Sequence, residues 1–129
     1  MFSLLIVDDE PDILDATKWF LEINGYKVST APDGEKALQI LQNMRPDLML
    51  VDYKLPGVSG IELLGMVRAR GITTPAIMIT GLTEQADSME GECRKLGVLA
   101  FLTKPLEMAR VLQVIQEMLK GDINRNPAT

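Results

Sequence analysis

Leu4-Leu5-Ile6-Val7-Asp8-Asp9-Glu10 decides the reading of the fold, because four uninterrupted apolar residues run straight into three acids. An apolar run without polar alternation predicts a strand buried on both faces, the pattern of a parallel sheet. Four further runs share it: Tyr26 to Thr30, Leu48 to Val51, Ala76 to Ile79 and Leu99 to Leu102. The intervening stretches carry helical spacing. Asp12 to Ile23 places Ile13, Ala16, Thr17, Phe20 and Leu21 on one stripe, with Pro11 at its start and Gly25 past its end. Leu14 and Trp19 fall off that stripe; two readings are open for them, a docking patch for a partner and partial burial at the helix edge. Glu35 to Asn43 carries Ala37, Leu38 and Leu41, and Gly60 to Arg70 carries Ile61, Leu64 and Val67. Glu107 to Lys120 carries Val111, Leu112, Ile115 and Leu119 before Gly121. The helix expected between Thr83 and Leu96 is the poorest, with Gly91 inside it and only Ala86, Met89, Cys93 and Leu96 as apolar positions. It is expected to be short, bent or mobile, since Gly costs about 1 kcal/mol against Ala inside a helix.

Strand and helix alternate five times. That order predicts an α/β fold: a doubly wound, flavodoxin-like five-stranded parallel sheet, order 2-1-3-4-5, with five helices and right-handed crossovers. Residues 1–121 form the expected domain, and 122–129 a tail or the start of a linker. Ligands of such folds bind beyond the carboxyl ends of the strands, where strands 1 and 3 diverge. The chain places its polar groups there. Strand 1 leads into Asp8-Asp9-Glu10, strand 3 into Asp52, strand 4 into Thr80-Gly81, and strand 5 into Thr103-Lys104-Pro105. With neighbouring strands roughly 4.8 Å apart, Asp8, Asp9 and Asp52 converge. Three such carboxylates need counter-charge. Lys104 supplies one positive charge, and a hard divalent cation, Mg2+ or Mn2+, would supply two more. Asp52 could then attack a phosphoryl donor in line, with Lys104 and the Thr80 hydroxyl holding the product oxygens. Taken singly these residues read blandly: Asp8 and Asp9 as helix caps, Thr80 as a turn hydroxyl, Lys104 as a solvated lysine, Phe101 as core.

Together they resemble a bacterial two-component response-regulator receiver domain of the chemotaxis-regulator type. The matching pieces are Leu5-Ile6-Val7-Asp8-Asp9-Glu10, Asp33-Gly34-Glu35-Lys36-Ala37-Leu38, Pro46-Asp47-Leu48-Met49-Leu50-Val51-Asp52, Leu55-Pro56-Gly57 with Gly60, Ile79-Thr80-Gly81, and Phe101-Leu102-Thr103-Lys104-Pro105. The resemblance implies that Asp52 accepts a phosphoryl group from the phosphohistidine of a sensor histidine kinase or phosphotransfer protein. It implies that Asp8, Asp9, Asp52 and the backbone carbonyl of Lys54 hold the magnesium. Thr80 and Phe101 are then the switch pair, Lys104 binds phosphoryl oxygens, and the Lys104-Pro105 bond is commonly cis. Signalling would run through the fourth helix, fifth strand and fifth helix to an output domain or target protein, with a phosphorylation-dependent homodimer as a further possibility. Leu82 and Lys54 occupy positions that tune phosphoaspartate lifetime in the family.

Composition narrows the field. The 129 residues are 47% hydrophobic and 24% charged, as in an ordinary globular domain. Thirteen Lys+Arg against 18 Asp+Glu give a net charge of −5, which disfavours direct nucleic-acid binding. The chain has no histidine, so His-based zinc sites, His general bases and Ser-His-Asp triads are excluded, and any phosphohistidine must come in trans. Cys93 is the one cysteine and is read as a small helix residue in a reducing compartment. No secretory signal or span of about 20 apolar residues is visible, so the expectation is a cytoplasmic protein without membrane contact. A stand-alone regulator and a receiver cut from a longer chain both fit. An Asp-nucleophile phosphatase would want Asp-x-Asp after strand 1, and a flavin binder would want a Ser/Thr/Gly-rich loop there. No free-substrate turnover is expected, and a non-phosphorylated pseudo-receiver scaffold is the alternative.

Overall fold

The computed structural model describes residues 1–81 and 90–120 in full and the helical backbone of residues 121–125. In chain order the elements are β1 (Ser3–Val7), α1 (Pro11–Ile23), β2 (Lys27–Ala31), α2 (Gly34–Leu41), β3 (Leu48–Asp52), α3 (Gly60–Ala69), β4 (Ala76–Thr80), α4 (described over 90–95), β5 (Val98–Thr103) and α5 (Met108–Arg125). The sheet is parallel throughout, in the order β2-β1-β3-β4-β5. Adjacent residues of each central strand feed opposite faces. Leu5, Val7, Met49, Val51 and Met78 join Ala37, Leu41, Leu63, Leu64, Val67 and Cys93 from α2, α3 and α4. Leu4, Ile6, Leu48, Leu50, Ile77 and Ile79 join Leu14, Leu21, Val111, Ile115 and Leu119 from α1 and α5. Each fully buried Leu or Ile stabilises the fold by about 1.5–3 kcal/mol. That double burial explains why the central strands show no polar alternation in the sequence.

Local signals set the helix ends. Pro11 opens α1, and Gly25 follows it at φ 94°. Asp33 caps α2 by accepting from the Lys36 amide at 2.8 Å. Ser59 and Glu62 form a reciprocal capping box on α3. Gly60 matters most for the site: a Cβ there would lie 2.5 Å from the Asp52 carbonyl oxygen. Only glycine lets α3 begin this close to the end of β3.

Three expectations need correction. Leu14 is buried in the α1/α5 cluster, while Ala16 is exposed and Ile13 and Phe20 are half-buried. The buried face of α1 is therefore rotated toward α5, and of the two readings open for Leu14 the structure bears out burial, not a docking patch. Trp19 does stand exposed. Strands β2 and β5 are not buried on both faces, because they are the sheet edges. The last helix does not end at Lys120 but continues through Gly121 to Arg125, since one glycine weakens a helix without breaking it. Its predicted start, and those of the other elements whose starts lie among the described residues, fall within one or two residues of those observed. In the fourth helix, residues 90–95 are helical and include Gly91. Leu82, Ala86, Met89 and the expected shortness or bend, like tail residues 126–129, lie outside the described residues.

Candidate functional site

Parallel pairing brings the charged groups together. Leu4–Val7 of β1 aligns with Leu48–Val51 of β3, so Asp8 leaves β1 beside Asp52 at the end of β3. Asp52 in turn aligns with Ile79, one residue before Thr80. The Lys104 amide donates to the Thr80 carbonyl at 2.9 Å, which ties the loop after β5 to the end of β4. The Lys104-Pro105 peptide is cis, as the sequence motif implies.

Two carboxylates are fixed in the same way. The Oδ1 of Asp8 accepts from the Glu10 amide at 3.0 Å, and the Oδ1 of Asp52 accepts from the Lys54 amide at 3.1 Å. Both are turns in which an Asp side chain caps the backbone two residues on. Each Oδ2 is thereby turned toward Lys104. The Lys104 ammonium donates to Asp52 Oδ2 at 2.6 Å and to Glu10 Oε1 at 2.9 Å. It lies 3.3 Å from Asp8 Oδ2, within charge attraction, yet makes no hydrogen bond to that atom.

Burial makes this arrangement costly. Asp8 is fully buried, Asp52 is 3% exposed and Thr80 1%. Burial pushes the Asp8 carboxyl above the usual carboxylate range; the Glu10 amide opposes the shift, the Asp52 charge adds to it, and Lys104 opposes it. For Lys104, burial acts to lower the pKa. The hydrogen bonds to Asp52 and Glu10, with the charges of Asp52 and Asp8, outweigh it and hold the ammonium above the ordinary lysine range. The Oδ2 of Asp8 remains a buried acceptor with the Lys104 charge nearby but without a hydrogen bond, a costly arrangement for a carboxylate when ionised. Asp8, Asp9 and Glu10 can each present an oxygen within 4.8 Å of the others. An all-oxygen donor set of this charge suits a hard divalent cation.

A cleft of about 410 Å³ opens over these groups, lined by Asp9, Glu10, Asp52, Tyr53, Lys54, Thr80, Gly81 and Lys104. Asp9 and Lys54 are exposed at its rim. The structure thus gathers Asp8, Asp9, Asp52, Lys54, Thr80 and Lys104 in one place. Phe101 stands apart. It lies on β5, half-buried against the α2/α3/α4 core face, and does not line the cleft. Sequence reasoning gave no role to Glu10, which proves to be the second hydrogen-bond partner of Lys104. Its place in Asp8-Asp9-Glu10 was visible. Its contact was not, because β1 and β5 are separated by β3 and β4.

Comparison with known proteins agrees with this geometry. Residues 4–116 match the family model described as the response regulator receiver domain. The chain is 35% identical over 118 residues to the alkaline phosphatase synthesis transcriptional regulatory protein PhoP of Bacillus subtilis, covering 92% of this chain and 48% of that protein. It is 34% identical over 128 residues to the transcriptional regulatory protein KdpE of Mycobacterium tuberculosis, covering 99% of this chain and 54% of that one. The chain therefore spans about half the length of these two relatives. Among solved structures it is similar to a response regulator receiver domain protein from Methanospirillum hungatei, with a TM-score of 0.86, 33% identity, and coverage of 97% of this chain and 98% of that one.

Proposed function

The chain belongs to the response-regulator receiver family of two-component signalling systems, and on that premise we propose that it is a switch phosphorylated at Asp52. One observation carries the proposal. The carboxylate of Asp52 ends a fully buried strand, pinned through Oδ1 by the Lys54 amide and through Oδ2 by Lys104, beside the unmet Oδ2 of Asp8. A carboxylate so held is oriented before any donor arrives.

Membership of the receiver family points to a phosphohistidine on a sensor kinase or phosphotransfer protein as the donor, and it must act in trans, because this chain has no histidine of its own. An Asp52 oxygen forms a bond to phosphorus as the phosphorus–nitrogen bond breaks, and the leaving imidazole keeps the electron pair and takes up a proton. Lys104 and the Thr80 hydroxyl receive the phosphoryl oxygens. Asp8, Asp9, Asp52 and the Lys54 carbonyl are the groups that would hold Mg2+ or Mn2+. Such an ion, when bound, supplies positive charge against the phosphoryl oxygens. Thr80 and Phe101 pass the change to the α4–β5–α5 surface, which an output domain, a target protein or a second copy reads. The chain acts only on its own aspartate and turns over no free substrate. Among the described residues no helix is long and apolar enough to cross a membrane. No observation favours the scaffold alternative.

The test is intact mass after incubation with acetyl phosphate, with and without magnesium, on wild type and Asp52→Asn. The expected result is a gain of one phosphoryl group that needs magnesium and is absent from the variant. No gain together with no binding of beryllofluoride, a phosphoryl mimic, would contradict the proposal.

A further inference from the structure

Lys104 is shared among three carboxylates, and they are not equivalent. Asp52 and Asp8 are buried, whereas the Glu10 side chain is 56% exposed. Glu10 occupies the N-cap position of α1, yet its side chain makes no capping hydrogen bond. Its backbone is fixed instead, through the amide bond to Asp8 Oδ1. The carboxylate is thus not needed to hold the helix, and its described hydrogen bond is to the Lys104 ammonium at 2.9 Å.

We propose that Glu10 is a positioning residue that holds the Lys104 ammonium in the phosphoryl-free protein and competes for it with the phosphoryl oxygens. This rests on the phosphoacceptor reading given above. An ammonium has three N–H donors. Two are engaged by Asp52 and Glu10, and the third has Asp8 nearby. A phosphoryl group on Asp52 needs at least one of them. The carboxylate that gives up its share at least cost is the one water can solvate when released, and that is Glu10. Asp8 cannot be released into water, because it is fully buried. Glu10 therefore sets how readily Lys104 passes from its resting partners to the phosphoryl group.

The experiment measures the affinity for beryllofluoride at saturating magnesium, followed by fluorine NMR, in wild type, Glu10→Gln and Glu10→Asp. Both substitutions lie at an exposed position and should leave the fold intact. Glu10→Asp keeps the charge but shortens the side chain by one methylene, so it separates reach from charge. Glu10→Gln should bind about threefold tighter and Glu10→Asp about twofold tighter, the scale of a part-exposed ion pair. The Lys104 side-chain NMR signals of the phosphoryl-free protein should move in both variants. Glu10→Asp behaving as wild type while Glu10→Gln differs would overturn the proposal in favour of a bulk charge effect. Wild-type binding unaltered by either substitution would overturn it as well, leaving the phosphoacceptor reading intact. Failure of the wild type to bind would remove both.

Discussion

At the amino ends of the strands, buried and half-buried polar groups bond mostly to backbone partners of their own; at the carboxyl ends three carboxylates share one lysine. Asp47 accepts from the Ser3 amide at 2.8 Å and from its hydroxyl at 3.3 Å. The Thr74 hydroxyl donates to the Pro46 carbonyl, and Arg68 donates to the carbonyls of Leu96 and Ile72 at 2.7 and 2.9 Å, leaving only Nη2 without a partner. These bonds join the loop before β3 to β1 and to the start of β4, and α3 to the turn before β5. At the opposite end, Lys104 serves Asp8, Glu10 and Asp52 at once, and Asp8 Oδ2 goes without a hydrogen bond. One end of the same sheet is built for stability. The other concentrates like charge around a single lysine, where an added cation would relieve it further and a new covalent group on Asp52 would use it. Functional sites commonly carry such locally unfavourable arrangements, held in place by the surrounding fold.

The largest effect should come from Lys104→Met, which leaves the Asp8 and Asp52 carboxylates buried without counter-charge. A loss of about 3 kcal/mol in urea unfolding at pH 7 is expected, partly restored by magnesium. Because the folded-state pKa of Lys104 is raised, its contribution is complete below the ordinary lysine value of 10.5 and fades as pH rises through the folded value. The deficit of the variant should therefore shrink in alkali. A deficit that magnesium leaves untouched would erase the contrast between the two ends.

Arg68→Ala is the matching change at the amino end. Losing two hydrogen bonds from a partly buried guanidinium should cost about 2 kcal/mol. Here magnesium should restore nothing, and phosphorylation of Asp52 should proceed as in wild type. Asp47→Asn should cost less, about 0.5 kcal/mol, because the amide still accepts from Ser3. A larger loss would mean that the Asp47 charge, and not only its hydrogen bonds, supports this end.

Most of the fold and much of the site were legible in the sequence, for reasons that also explain the failures. The central strands are buried on both faces, so uninterrupted runs such as Leu48–Val51 announced a parallel sheet. Parallel strands end on the same side, so Asp8, Asp52, Thr80 and Lys104 could be placed together from their positions alone. Leu14 was misread because α1 carries apolar residues on two overlapping stripes, and only packing against α5 chooses between them. Burial of β2 and β5 was overstated because run length does not reveal which strand is an edge. The contact of Glu10 with Lys104 crosses three strand intervals, which no local pattern encodes. The unmet oxygen of Asp8 is a matter of side-chain geometry that composition does not carry.

The most direct measurement is urea unfolding at pH 7 of wild type and Asp8→Asn, each with and without magnesium. Burial raises the Asp8 pKa, so the native state holds this proton at pH values where the unfolded chain has lost it. The ionised group therefore costs stability, a cost that grows as pH rises from the ordinary value of 3.8 through the folded value. Without magnesium, Asp8→Asn should be more stable than wild type by about 1 kcal/mol, the scale of removing a poorly compensated buried charge. That advantage should fade as the pH falls toward 3.8. Magnesium should stabilise the wild type and leave the variant nearly unchanged. A variant less stable than wild type, or an equal gain from magnesium in both, would contradict the view that this end of the sheet gives up stability to hold a cation.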